Sequence, residues 1–406
     1  MYRLTYFAVP PYGDADHTRP AVPGAPMTQH LSRADQLRAA KHPVHNDRKL
    51  RLGTFSSNLS GGCSMTDIPG VLEAEWSQTM DLARMGDEME FEALVPVGRW
   101  RGFGGRTDFN GSGFEAYTWA AGVGASTEKA GLFVTSHVTT VHPVMAAKQA
   151  ATIDHITGGR LALNVVTGWY TPEIEMFGAP ILPHDERYEV AQEWFDIVRD
   201  LWTAEEPITR EGRYYKIKDA LVSPQPLQQP YPVTMNAGGS PAGRAFGAKN
   251  CDVLFINVDA GQRDPAGMKA KVDAFKRYAR EEFGREVLVW TNAYVVQGDT
   301  QAEAERFVEY YVDEHGDWEA ADNLVTTMGM QQLSWDKATL DAMKRHFIAG
   351  WGGYPAVGTA DQIVDTLSSL VDAGLDGVLL SWAQYVDGMA RFQAEVHPLL
   401  VQAGLR

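Results

Sequence analysis

The stretch "TIDHITGGRLALNVVTGW", residues 152–169, decides how the fold is read. It opens as the end of a helix, turns on Gly158-Gly159, and enters an apolar run from Leu161. The run stops on Asn164, Thr167, Gly168 and Trp169. A buried strand that ends by presenting an amide, a hydroxyl and an indole together reads as the mouth of a parallel sheet, where polar side chains face a cavity. The plain alternative, a strand-end turn with a packed indole, explains Gly168 and Trp169 but not Asn164, because a buried amide needs partners.

Seven further segments share the short apolar strand pattern: 51–57, 91–97, 131–136, 232–237, 252–257, 287–296 and 376–382. Helical patterns separate them. In "RYEVAQEWFDIVRDLW" the residues Ala191, Trp194, Phe195, Val198, Leu201 and Trp202 keep the 3–4 spacing of one apolar face. Thr300 with Glu303 and Thr359 with Gln362 have capping-box spacing, which marks two helix starts. Eight strands alternating with helices predict an α/β protein whose parallel sheet closes into a (β/α)8 TIM barrel with insertions. Four segments near 98–114, 168–186, 204–231 and 315–350 are too long for ordinary connections, and the last is expected to contain helix. Residues 49–406 are read as the single barrel domain. Residues 1–48, rich in proline and polar residues, are read as a largely irregular extension in which "LSRADQLRAA" forms a short helix.

Composition narrows the function. Of 406 residues, 36 are Lys or Arg and 52 are Asp or Glu, giving a formal net charge of −16. Such an acidic balance argues against nucleic acid or an anionic membrane as partner. No apolar run approaches the roughly 18 residues a membrane helix needs. The cysteines Cys63 and Cys251 lie in no metal or redox spacing. The chain is expected to be cytoplasmic and to hold no metal.

The chemistry-bearing residues cluster at strand ends. Thr135 ends the third strand and would put a hydroxyl on the same rim as Asn164. "HDERYEV" places Arg187 and Tyr188 in the first turn of a helix, and a guanidinium there suits a phosphate. "MNAGGSPAGRA" runs from a strand through two glycines to Ser240 at a helix start, where free N–H groups meet an anion. His137, His142 and His184 have no acidic partner at ligand spacing and read as structural or as pocket wall. No dinucleotide fingerprint, serine elbow, zinc motif or phosphate-binding loop of the Walker type is present. Phosphate handles and aromatic walls without a nucleophile or metal suggest that a bound cofactor carries the reaction.

With these motifs in place, the chain resembles the bacterial luciferase-like flavin monooxygenases. The resemblance rests on "HPVMAAKQAATIDHITGGRLALNVVTGW", "HDERYEVAQEWFDIVRDLW" and "NAGGSPAGRAFGAK", in that order. "RGFGGRTDF" followed by "NVVTGWYTPEIEMFG" is most similar to the pyrimidine monooxygenase branch; dimethyl sulfone monooxygenases share "NVVTGW" and "HDERY". The resemblance implies reduced FMN delivered by a separate NAD(P)H flavin reductase. It implies flavin contacts at Gly98, Arg99, Asn164, Glu173, Arg187, Tyr188 and Ser240, and a dioxygen pocket shaped by Thr135, Asn164 and Trp169. It further implies oxidative cleavage of a carbon–heteroatom bond in a small electron-poor, heterocyclic or amide-like molecule through a flavin peroxide, by a homodimer or homotetramer. The alternatives it leaves are a sulfone, sulfonate or dehalogenating monooxygenase, or a deazaflavin-dependent oxidoreductase.

Overall fold

A computed structural model describes residues 32–258, 264–330 and 336–406. The proline-rich part of the N-terminal segment lies outside the described residues. The strands are β1 (Arg51–Phe55), β2 (Ala93–Val95), β3 (Leu132–His137), β4 (Leu161–Val166), β5 (Ile208–Glu211) and β6 (Lys216–Ala220). They continue with β7 (Val233–Asn236), β8 (Val253–Phe255), β9 (Leu288–Gln297), β10 (Tyr354–Gly358) and β11 (Gly377–Ser381). The main sheet runs β10-β9-β11-β1-β2-β3-β4-β7-β8, and a further β8–β9 pairing closes it. All of its pairs are parallel. The closed barrel therefore consists of the eight segments expected from sequence.

Alternation along each strand builds two layers. On β4, Leu161, Leu163 and Val165 join the outer core under the helices, while Ala162 faces the lumen. On β3, Leu132 and Val134 pack outward and Phe133 inward. Burial on both faces explains why these strands read as continuous apolar runs. The helix His184–Thr203 buries the face that its spacing marked. Its indoles Trp194 and Trp202 donate to the carbonyls of Val141 (2.7 Å) and Ala147 (3.0 Å), pinning it to the helix Pro143–Ile156.

The insertions contain structure the sequence did not reveal. Residues 208–220 form the antiparallel β5–β6 hairpin. Residues 98–114 carry no strand, 168–186 hold the helix Thr171–Met176, and the last insertion holds Trp318–Thr327 and Lys337–Gly350. β10 is an extra strand that pairs with the upper half of β9, beyond the barrel. Thr359 and Gln362 form the full capping box. The Thr300 box is only half made: its hydroxyl caps the Glu303 amide, but the Glu303 carboxylate takes the Asp299 amide instead.

The described part of the N-terminal segment packs against the barrel. The helix Arg33–Ala39 forms as expected, but residues 33–44 belong to the folded unit instead of trailing from it. Leu37 and Val44 are fully buried in the barrel's interior cluster, beside Phe133, Val233 and Trp290. His42 Nε2 donates to the Leu161 carbonyl (3.1 Å), at the start of β4. Arg33 and Arg285 both pair with the buried Asp252 carboxylate, at 3.2 and 3.0 Å. The segment plugs the N-terminal opening of the barrel, leaving the C-terminal mouth as the open end. Among the described residues no helix is long and apolar enough to cross a membrane.

Candidate active site

The mouth is built on the β3–β4 pair. Their register places Thr135 directly beside Asn164. Asn164 Nδ2 donates to Thr135 Oγ1 (3.1 Å), and that hydroxyl donates to the Pro96 carbonyl (2.6 Å) at the end of β2. A hydroxyl has one proton, so its commitment to Pro96 fixes which way the amide points. Asn164 Oδ1 is left buried without a partner. An unmet buried acceptor costs about 1–3 kcal/mol, a burden a ligand N–H would relieve. The sequence placed a hydroxyl and an amide on this rim. The structure ties up the Thr135 proton and offers an acceptor.

Gly98 lies against the same pair. A Cβ there would stand 3.2 Å from the Thr135 carbonyl and 3.4 Å from the His137 ring. His137, at the end of β3, is held neutral: burial and the Arg99 charge push it down to about 4. Its ring lies beside Gly98 at the end of the strand.

Arg99 and Glu173 are brought together but bind each other. Their side chains form a buried ion pair at 3.2 Å. Glu173 Oε1 also accepts from the Trp100 (2.5 Å) and Arg101 (3.2 Å) amides, clamping residues 98–114 to the helix Thr171–Met176. The Arg99 guanidinium sits 4.7 Å from the Phe103 ring centre, 5.3 Å from Tyr170 and 5.7 Å from Trp169. Trp169 stacks on Phe103 at 6.1 Å with 16° between planes, and is 37% exposed. It therefore stands on the rim with the aromatic insertion, one layer out from the Thr135–Asn164 pair, with which it makes no hydrogen bond.

A second group of orphaned atoms surrounds Gly168. Arg187 Nη1 donates to the Gly168 carbonyl (2.5 Å), while its Nε is buried and unpartnered. The Thr139 hydroxyl beside Gly168 is likewise buried without a partner, as is that of Thr140, the next residue in the chain. Gly168 has φ 73°, and a Cβ would come 3.0 Å from Thr139 Oγ1, so both conformation and space require glycine here. Sequence reasoning passed over Thr139 and Thr140, because adjacent threonines after a strand carry no periodic signal.

Tyr188 follows Arg187 and reaches the glycine-rich turn after β7. Its hydroxyl lies 2.8 Å and 2.6 Å from where Cβ atoms on Gly238 and Gly243 would be. Ser240 caps the helix Pro241–Asn250, accepting from the Gly243 amide (3.1 Å). Nothing lies within 4 Å of a Cβ placed on Gly239, so the turn is open on that side. Unmatched donors at Gly168, continued by this open turn and helix start, fit a dianion such as a phosphate monoester. The thiols offer no nucleophile: both are free and buried, and burial lifts Cys63 to about 12 and Cys251 higher still.

A closed parallel barrel with its polar residues at the C-terminal mouth defines an enzyme scaffold. The family model for luciferase-like monooxygenases matches residues 50–377, and the chain belongs to that family. Within it, the chain is 30% identical to an FMNH2-dependent dimethylsulfone monooxygenase of Pseudomonas putida, over 86% of this chain and 95% of that protein. It is equally 30% identical to the pyrimidine monooxygenase RutA of Cronobacter sakazakii, over 79% of this chain and 94% of that one. The crystal structure of DmoA from Hyphomicrobium sulfonivorans shares the fold, with a TM-score of 0.76 and 21% identity over 88% of this chain and 89% of that one.

Proposed function

We propose that the chain is a two-component, FMN-dependent monooxygenase that oxidatively cleaves a carbon–heteroatom bond in a small electron-poor, heterocyclic or amide-like molecule. The observation that carries this reading is the Asn164 amide, oriented by Thr135 and left with a free acceptor at the barrel mouth. Reduced flavin bears an N–H on its central ring that oxidised flavin lacks, and Asn164 Oδ1 is the matching acceptor. Arg187, Thr139, Tyr188 and the turn into Ser240 would hold the phosphate. FMN, once reduced, supplies the electrons that activate dioxygen. This chain's residues orient the ring, exclude water with the Phe103–Trp169–Tyr170 wall, and keep the mouth free of competing protons through a neutral His137. Arg99 and Glu173 act by fixing that wall.

Reduced FMN would come from a separate NAD(P)H flavin reductase. Buried free thiols suit a reducing, cytoplasmic setting, and a homodimer or homotetramer is carried over by analogy with the family. The test is a panel of heterocycles, amides and sulfones incubated with the chain, FMN, a generic flavin reductase and isotopically labelled dioxygen, read by mass spectrometry. Label should enter one product with the wild-type chain. Asn164→Ala should bind oxidised FMN within a few fold of wild type and yield no labelled product. Normal product yield from that variant would remove the role assigned to Asn164.

A further inference from the structure

The lumen wall across from Asn164 carries a second asparagine that no assignment above uses. Asn292 lies within β9, two residues beyond Trp290, whose ring is in the interior cluster 6.1 Å from that of Phe133. Strand alternation puts Asn292 on the same inner face, one layer nearer the mouth. It is 1% exposed, and neither Nδ2 nor Oδ1 has a hydrogen-bond partner. Asn164 leaves one amide atom unmet; Asn292 leaves the whole donor–acceptor edge unmet. Gly353 packs close to the amide on one flank, where a Cβ would approach Nδ2 to 2.8 Å. The neighbouring lumen is apolar and aromatic, with the Phe55 and Phe255 rings 5.7 Å apart.

We infer that Asn292 is a specificity-determining residue for substrate. Its Oδ1 accepts from the N–H, and its Nδ2 donates to the C=O, of one lactam or cyclic-amide edge held flat in the mouth. The inference rests on the monooxygenase reading and sharpens its substrate class. A sulfone offers two acceptors and no donor, so Oδ1 would face a like-charged oxygen. An N-substituted amide also lacks the donor and sets an alkyl group against Oδ1. The flavin's own pyrimidinedione ring carries the same edge chemistry, so the experiment must separate the two ligands.

Three probes of similar size do so: 2-pyridone, N-methyl-2-pyridone and tetramethylene sulfone, titrated calorimetrically into the full chain with and without FMN. We expect 2-pyridone to bind about tenfold tighter than either other probe, roughly 1.4 kcal/mol. Asn292→Leu should erase that preference, keep FMN affinity within twofold and melt no lower than wild type. Asn292→Val serves as the second variant should leucine not fit. Equal binding of the three probes to wild type, or a preference that survives in both variants, overturns the inference. So does a fall in FMN affinity matching the loss of 2-pyridone, which would assign the edge to the flavin. Failure of wild type to bind FMN at all sinks the monooxygenase reading, while the titrations without FMN still decide Asn292.

Discussion

The two ends of the barrel handle buried polarity in opposite ways. At the N-terminal end, charges are buried in matched sets: Asp252 between Arg33 and Arg285, and Glu92 between Arg48 and Arg406. The guanidinium nitrogens without partners there belong to side chains already paired. At the C-terminal end whole functional groups are left over, among them the Asn292 amide, Asn164 Oδ1 and the Thr139 and Thr140 hydroxyls. The plugged end matches its buried charges and leaves over one imidazole nitrogen, His45 Nε2, while the mouth leaves over whole groups. This separates residues whose loss unfolds the chain from residues whose loss disarms it.

The sharpest break of that contrast is Asp252→Ala, which strands two half-buried guanidiniums. We expect a stability loss of about 3–5 kcal/mol, seen as a lower denaturant midpoint. A variant as stable as wild type would show that the plugged end is not self-contained. Arg187→Ala should do the reverse, leaving the midpoint nearly unchanged while weakening FMN binding by roughly 1.5–3 kcal/mol. Unchanged affinity in a flavin fluorescence titration would remove the phosphate site.

A smaller effect lies in the pH dependence of the plugged end. Burial, then the charge of His45, pushes His42 down to about 3, and burial pushes His45 down to about 4. A histidine depressed in the folded state stabilises fully above its unfolded value near 6.5 and loses that contribution as pH falls toward its folded value. Stability should therefore decline from about pH 6.5 downward. His42→Gln should flatten part of the slope in a series of urea titrations. Burial alone would raise the Asp252 carboxyl, but Arg33 and Arg285 outweigh it and hold it below the usual range. Its share is accordingly present above about pH 3.9 and lost only below that. A slope unaltered by the His42 substitution would assign the acid sensitivity elsewhere.

The sequence made the barrel legible because its strands are buried on both faces, and every expected strand is a barrel strand. It made Asn164, Thr135, Arg187, Tyr188 and Ser240 legible because each breaks an apolar or helical pattern at an element's end. What it hid follows from the same physics. The β5–β6 hairpin is largely exposed, so no alternation marks it. β10 is a rim strand broken by proline and glycine, "YPAVG". The plug hangs on isolated anchors, Leu37 and Val44, in a polar stretch where no period is visible. Asn292 stands out inside "VLVWTNAYVV", but sequence cannot say whether an amide has found partners.

The Glu173 carboxylate has a consequence for how such proteins diverge. It gathers the Arg99 guanidinium and the Trp100 and Arg101 amides, so two excursions far apart along the chain are welded into a single panel. Neither can swing, lengthen or be grafted from a cousin on its own without exposing a bare charge where water does not reach. Changes in what the enzyme admits must arrive as paired edits on both excursions, and chimeras that exchange only one are expected to misassemble at that joint.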